Sequence, residues 1–190
     1  MKNIVAIVGM CGSGKSVVVD YFTNKGYQKV YFGGITLEKM REEGIEITPE
    51  NEKLMREGLR AKYGMAAYAI LSFPKIREYY SEGNVIIDGL YSWDELVVLK
   101  EEFGSSFKVI AVTVDKKLRY NRLETRNIRP LTEEEATKRD ISEIENIAKG
   151  GPIAYADYFV FNNSDINALN NRLDEITQDI KNDIPRNRAK

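Results

Sequence analysis

The segment that most constrains this chain is Gly9-Met10-Cys11-Gly12-Ser13-Gly14-Lys15-Ser16, a G-x-x-x-x-G-K-S pattern directly behind the apolar run Ile4–Val8. Five apolar residues without polar alternation read as a strand covered on both faces. Residues 16–24 carry Val17, Val18, Tyr21 and Phe22 at helical spacing, and Gly26 closes that helix. A buried strand, a glycine turn and a helix in this order gather several backbone N–H groups into one concavity. The helix start adds unpaired N–H groups and the positive end of its dipole, so the loop suits the oxygens of a triphosphate. Lys15 is expected to reach the β and γ phosphates, and Ser16 to offer its hydroxyl to magnesium. Gly9, Gly12, Ser13, Gly14 and Val17 complete the predicted cradle. Gly12 and Gly14 are read as positions where a side chain would meet the nucleotide.

The remaining pattern alternates strands and helices. Residues 27–32 read as a second strand broken by Gly33-Gly34, and residues 35–81 as mostly helical. Within that stretch Thr48 is the expected N-cap with Pro49 behind it. Leu54, Leu59 and the stem of Lys62 recur at near-helical spacing. Val85-Ile86-Ile87-Asp88 reads as a buried strand, and residues 107–114 and 158–161 as two more. Capping boxes are expected at Ser92 with Glu95 and at Thr132 with Glu135, the second helix running to about Ala148. Gly150-Gly151-Pro152 reads as a turn. Ile166, Leu169, Leu173, Ile176 and Ile180 form one face of a final helix. This order predicts a three-layer α/β/α sandwich with a mainly parallel sheet.

Active groups in parallel sheets gather beyond the carboxyl ends of the strands. Asp88, ending its strand ahead of Gly89, should therefore face the crevice of Lys15 and Ser16, where it could hold magnesium or orient an acceptor oxygen. Arg122, Arg126 and Arg129 fit a short cationic lid that neutralises a transferring group and keeps out water. Arg119 lies a turn earlier and reads as structural. Arg60, in the helical stretch, is the candidate for an acceptor phosphate, and Tyr91 a candidate for the acceptor pocket wall.

The chain has 28 Lys and Arg against 29 Asp and Glu, a formal net charge of -1, which argues against nucleic acid as a partner. One cysteine, Cys11, makes no internal disulfide, and the absence of histidine removes histidine-based catalysis and most zinc sites. The first apolar run is too short for a membrane span and no cleavage site follows it, so a cytoplasmic protein without a membrane partner is expected. ATP against GTP stays open, as does monomer against homodimer.

Val8-Gly9-Met10-Cys11-Gly12-Ser13-Gly14-Lys15-Ser16, Leu59-Arg60, Ile86-Ile87-Asp88-Gly89, Arg122-Leu123 with Arg126, and Ala156-Asp157-Tyr158 with Asn162-Asn163 occur together in this order. In this the chain resembles the adenylate-kinase-related and dephospho-coenzyme-A-kinase-like group of P-loop nucleotide kinases, and within it a mainly archaeal branch. The resemblance implies one P-loop kinase-like domain over residues 1–184, with a helical insertion at about 35–81, a lid at about 122–139 and a polar tail at 185–190. It implies phosphoryl transfer from ATP with Mg2+ to a phosphorylated small-molecule acceptor. Lys15 and Ser16 would hold ATP and magnesium, Asp88 would sit between magnesium and acceptor, Arg126 would belong to the lid, and Asn162 would lie near the adenine.

Three positions depart from the pattern of that group. Gly34 and Leu37 stand where an aspartate and an arginine are usual, and Tyr91 stands where an arginine is usual. A phosphate-binding arginine makes charge-assisted bonds that tyrosine cannot copy. A nucleotide kinase is therefore the leading expectation. The alternatives are a nucleotide-binding regulatory module and an NTPase that has lost acceptor phosphorylation.

Overall fold

The computed structural model describes residues 2–182. The tail expected at 185–190 lies outside the described residues. Five parallel strands form the sheet: β1 (Ile4–Val8), β2 (Gln28–Tyr31), β3 (Val85–Asp88), β4 (Phe107–Thr113) and β5 (Tyr158–Phe161), in the order β2-β3-β1-β4-β5. The continuous apolar run puts β1 at the centre, where all five residues are buried. Its register sets Ile7 beside Asp88 and Val8 beside Ala111.

Side-chain alternation divides the core in two. Ile4, Ala6, Val8, Val85, Ile87, Val109 and Ala111 face one way, packing with Leu59, Ala67, Ile76 and Leu96. These belong to α3 (Pro49–Tyr63), α4 (Ala67–Glu82) and α5 (Trp93–Phe103), and α2 (Phe32–Glu42) adds Phe32 and Ile35. Val5, Ile7, Ile86, Ile110, Val112 and Val160 face the other way, onto Val18, Val19 and Phe22 of α1 (Lys15–Asn24) and Leu169, Leu173, Ile176 and Ile180 of α9 (Ile166–Asn182). Each fully buried aliphatic side chain contributes about 1.5–3 kcal/mol. The expected three-layer sandwich is thus the fold observed. Three further helices, α6 (Lys116–Thr125), α7 (Glu133–Ile147) and α8 (Gly150–Ala154), stand between β4 and β5 in the chain.

The predicted caps form. Thr48 Oγ1 accepts from Asn51 N at 3.2 Å, and both capping boxes close, Ser92 with Glu95 and Thr132 with Glu135. Several local expectations need correction. Gly33 and Gly34 sit in the first turn of α2, because β2 ends at Tyr31 and Phe32 turns straight into the core. Gly150-Gly151-Pro152 is the start of α8 rather than an open turn, and Pro152 is buried there. Ile166 and Leu54 fall on the solvent side of their helices, 51% and 65% exposed, while Leu59 and Leu173 are buried. Among the described residues, no helix is long and apolar enough to cross a membrane.

Candidate functional site

β1 and β3 are neighbours whose outgoing helices depart to opposite faces, α1 to one and α5 to the other. A crevice opens beyond such strand ends, and here it receives the glycine loop from β1 and Asp88 from β3. Gly9, Gly12 and Gly14 have φ of 147, 83 and 89°, values that side-chain-bearing residues rarely adopt. A Cβ at Gly9 would strike the Val112 carbonyl, one at Gly12 would lie 2.8 Å from Leu123 Cγ, and one at Gly14 would strike Asn162 Nδ2. Protein atoms therefore fix these glycines directly, whereas the sequence assigned Gly12 and Gly14 to contact with a nucleotide.

Lys15 Nζ donates to the carbonyls of Gly9 (2.9 Å) and Met10 (3.0 Å), which holds the ammonium inside the loop. Burial lowers its pKa to about 8, and the like charge of Lys149 adds to the effect against the attraction of Cys11, Glu143 and Asp88. Ser16 and Val17 are exposed on the first turn of α1, which carries no acidic residue. Ser13 is buried and its hydroxyl has no hydrogen-bond partner among the described residues. Asp88 pairs with Lys29 of β2 at 2.9 Å, a partner that period-2 reading leaves as one more surface lysine.

The loop is braced from behind. Arg119 of α6, 6% exposed, donates to the Cys11 carbonyl at 2.9 Å and binds Asp140 of α7 through both terminal nitrogens. Tyr120 adds a bond to Asp140 at 3.1 Å. Asn162, just past β5, donates from Nδ2 to the Ser13 carbonyl at 3.0 Å, and Arg122 Nη2 donates to the Asn162 carbonyl at 2.9 Å. Arg126 donates to the Arg129 carbonyl at 2.8 Å and approaches Cys11 Sγ at 3.9 Å. Arg129 is exposed with φ of 50°. Arg126 thus stands against the loop, Arg122 reaches it through Asn162, and Arg129 is tied to Arg126 through its carbonyl.

On the other side, Arg60 stacks 5.7 Å from the Tyr68 ring centroid, with Nε buried and without a hydrogen-bond partner among the described residues. Tyr91 donates its N–H to Glu95 Oε2 at 2.7 Å, and burial pushes its phenol well above the usual pKa. Glu95 is itself fully buried, and desolvation raises its carboxyl to about 7 against the bonds it receives from Tyr91 and Ser92. Lys149, absent from the sequence reading, stands over Tyr91 with Nζ 5.0 Å from the ring centroid.

These groups fit a magnesium-bound nucleoside triphosphate. The loop has an orphaned buried hydroxyl at Ser13 and an ammonium at Lys15, and its helix start is free of acids. Magnesium commonly takes only one or two protein oxygens and completes its shell with phosphates and water; Ser16 and Asp88 are oxygens of that kind.

A family model described as an AAA domain matches residues 5–145. A UPF0200 protein of Thermococcus onnurineus is 32% identical over 181 residues, covering 93% of this chain and 97% of its own. The chain belongs to the AAA domain family and to the UPF0200 proteins. Its fold is also that of a gluconokinase from Sinorhizobium meliloti (TM-score 0.59, 13% identity, 95% and 94% of the two chains covered). The same holds for the dephospho-CoA kinase from Campylobacter jejuni (TM-score 0.52, 16% identity, 94% and 97% covered). These likenesses show the fold, a three-layer α/β/α sandwich of the P-loop kinase type.

Proposed function

We propose that this chain transfers a phosphoryl group from ATP to a nucleotide-like acceptor, of the nucleoside monophosphate or dephospho-coenzyme A class. The observation that carries the proposal is Lys15, seated inside a glycine loop at the end of β1, beside the strand that ends in Asp88. In this reading the loop amides and Lys15 hold the triphosphate, and Lys15 follows the charge as it moves. Ser16 and Asp88 are the oxygens that would hold magnesium, which when bound neutralises charge on the phosphate oxygens. Asp88, held by Lys29, also orients the acceptor oxygen for in-line attack. Arg126 sits close enough to Cys11 to turn onto the transferring group, with Arg129 beside it. Arg60 serves the acceptor phosphate, and Asn162, with Arg122 behind it, borders the ATP side. Catalysis is then positioning and electrostatics rather than covalent chemistry.

A second reading is an NTPase or nucleotide-binding regulatory module, favoured by Leu37 and Tyr91, where the resemblance to the nucleotide kinases leads one to expect arginines. Release of ADP, measured with magnesium and ATP across a panel of nucleoside monophosphates and dephospho-coenzyme A, separates the two. The transfer reading expects one acceptor class to stimulate release. It also expects Arg126→Ala to slow transfer while ATP binding stays, because lid charges act mainly in the transition state. Tight ATP binding with no acceptor effect supports the second reading instead.

A further inference from the structure

Lys149 is the most completely buried lysine-type charge that the nucleotide reading leaves without a task. Its residue is 1% exposed, yet its side chain retains an ammonium bound to Glu143 at 2.6 Å. A buried ammonium with a single carboxylate partner is a costly arrangement, and an apolar pair of the same volume would usually be at least as stable. Glu143 does not serve Lys149 alone, since Arg139 Nε also donates to it, at 3.2 Å. Two cations thus share one anion, which leaves a net positive charge at this point. The ammonium lies 5.0 Å from the Tyr91 ring centroid. Tyr91 follows the Asp88-Gly89-Leu90 segment, ahead of α5. Lys149 is also the charged neighbour that most depresses the Lys15 ammonium. The charge of Lys149 is thus felt at the Lys15 ammonium.

We propose that Lys149, with Arg139, forms a second oxyanion subsite, held ready by Glu143, that takes the phosphate monoester of the acceptor beside Tyr91. The proposal rests on the phosphotransfer reading above and names the group that supplies acceptor-side charge where Tyr91 cannot. An arriving phosphate would share Lys149 and Arg139 with Glu143 and screen Lys149 from Lys15, which removes the repulsion between the two ammonium groups. Glu143 is suited to the role of a brace: burial raises its pKa, but Lys149 and Arg139 outweigh that and hold it ionised.

The test uses the full chain loaded with ADP and magnesium, and inorganic phosphate as the probe, titrated by calorimetry. The wild type is expected to bind phosphate in addition to ADP. Lys149→Met should weaken phosphate binding at least tenfold with ADP affinity unchanged, and Lys149→Arg should restore most of it. Glu143→Gln keeps the shape, removes the competing anion and should tighten phosphate binding. This variant keeps the proposal testable should Lys149→Met not fold. Phosphate affinity that is absent in the wild type, or equal in wild type, Lys149→Met and Glu143→Gln, overturns the proposal. Acceptor kinetics separate it from the parent reading. If no acceptor stimulates turnover while phosphate binding depends on Lys149, phosphotransfer fails and the subsite stands. If turnover is stimulated and the acceptor KM is unmoved in Lys149→Met and Lys149→Arg, the subsite fails and phosphotransfer stands.

Discussion

Arg119 couples the stability of this protein to the shape of its glycine loop, and the two effects can be separated. Its guanidinium is almost wholly buried, bridges Asp140 with two nitrogens and donates to the Cys11 carbonyl in the middle of the loop. Removing one member of a buried ion pair leaves the other uncompensated, which costs about 3–5 kcal/mol. For a domain of this length that corresponds to roughly 6–20 °C in Tm. Arg119→Met and Asp140→Leu should each show a loss of this size in urea or thermal unfolding followed by circular dichroism. The double variant should recover most of it, because neither charge is then stranded. The Tyr120 hydroxyl keeps its contact with Thr137 at 3.2 Å. ATP affinity should not recover in parallel. The Cys11 carbonyl lacks its donor whenever Arg119 is gone, so the double variant should bind ATP about tenfold more weakly than the wild type, the worth of one lost charge-assisted bond. Stability thus tracks the pair, and affinity tracks Arg119. Single variants costing under about 1 kcal/mol, or a double variant as unstable as the sum of the singles, would refute the reasoning.

Three further outcomes are expected. Lys15 loses its proton around pH 8 in the protein without nucleotide, against 10.5 for a free lysine. Its depressed pKa therefore costs stability below about 8, and that cost is relieved as pH rises toward 10.5. Phosphate attraction runs the opposite way, so ATP affinity should fall about tenfold between pH 7 and 9, and Lys15→Met should flatten the profile. Glu95 shows the acidic counterpart: with its pKa raised to about 7, the folded state holds a proton that the unfolded state releases above about 4.5. Stability should therefore decline between those pH values by on the order of 3 kcal/mol, and the decline should vanish in Glu95→Gln, whose amide oxygen can still accept from Tyr91 and Ser92. In Gly14→Ala, a methyl group at φ of 89° meets Asn162 Nδ2. Melting temperature and ATP affinity should both drop, and unchanged values would mean that the Ser13–Asn162 clamp moves freely.

Most of the sheet was legible because β1, β3, β4 and β5 each announce themselves by a largely apolar run, whereas β2 is Gln28-Lys29-Val30-Tyr31 with only Val30 buried; the central position of β1 follows from its unbroken burial. The caps at Thr48, Ser92 and Thr132 were legible because their chemistry is local. Pairings across long separations were not. Arg119 and Asp140 are 21 residues apart and Lys29 and Asp88 are 59 apart, and nothing in a single sequence ties one to the other. Lys149 escaped for a related reason. It stands before Gly150-Gly151-Pro152, which reads as a turn, and only the packing of α8 beside α5 carries it under cover. Gly33-Gly34 misled for the opposite reason, since a local breaker signal was overridden by the burial of Phe32 and Ile35.

The central claim is that the loop between β1 and α1 binds a magnesium-bound triphosphate through Lys15. Calorimetric titration of ATP with and without magnesium, on wild type and Lys15→Ala side by side, reads it directly. The account predicts saturable binding that magnesium strengthens and that Lys15→Ala abolishes while the melting temperature does not fall. Binding of equal strength in both proteins, or none in the wild type, would contradict it.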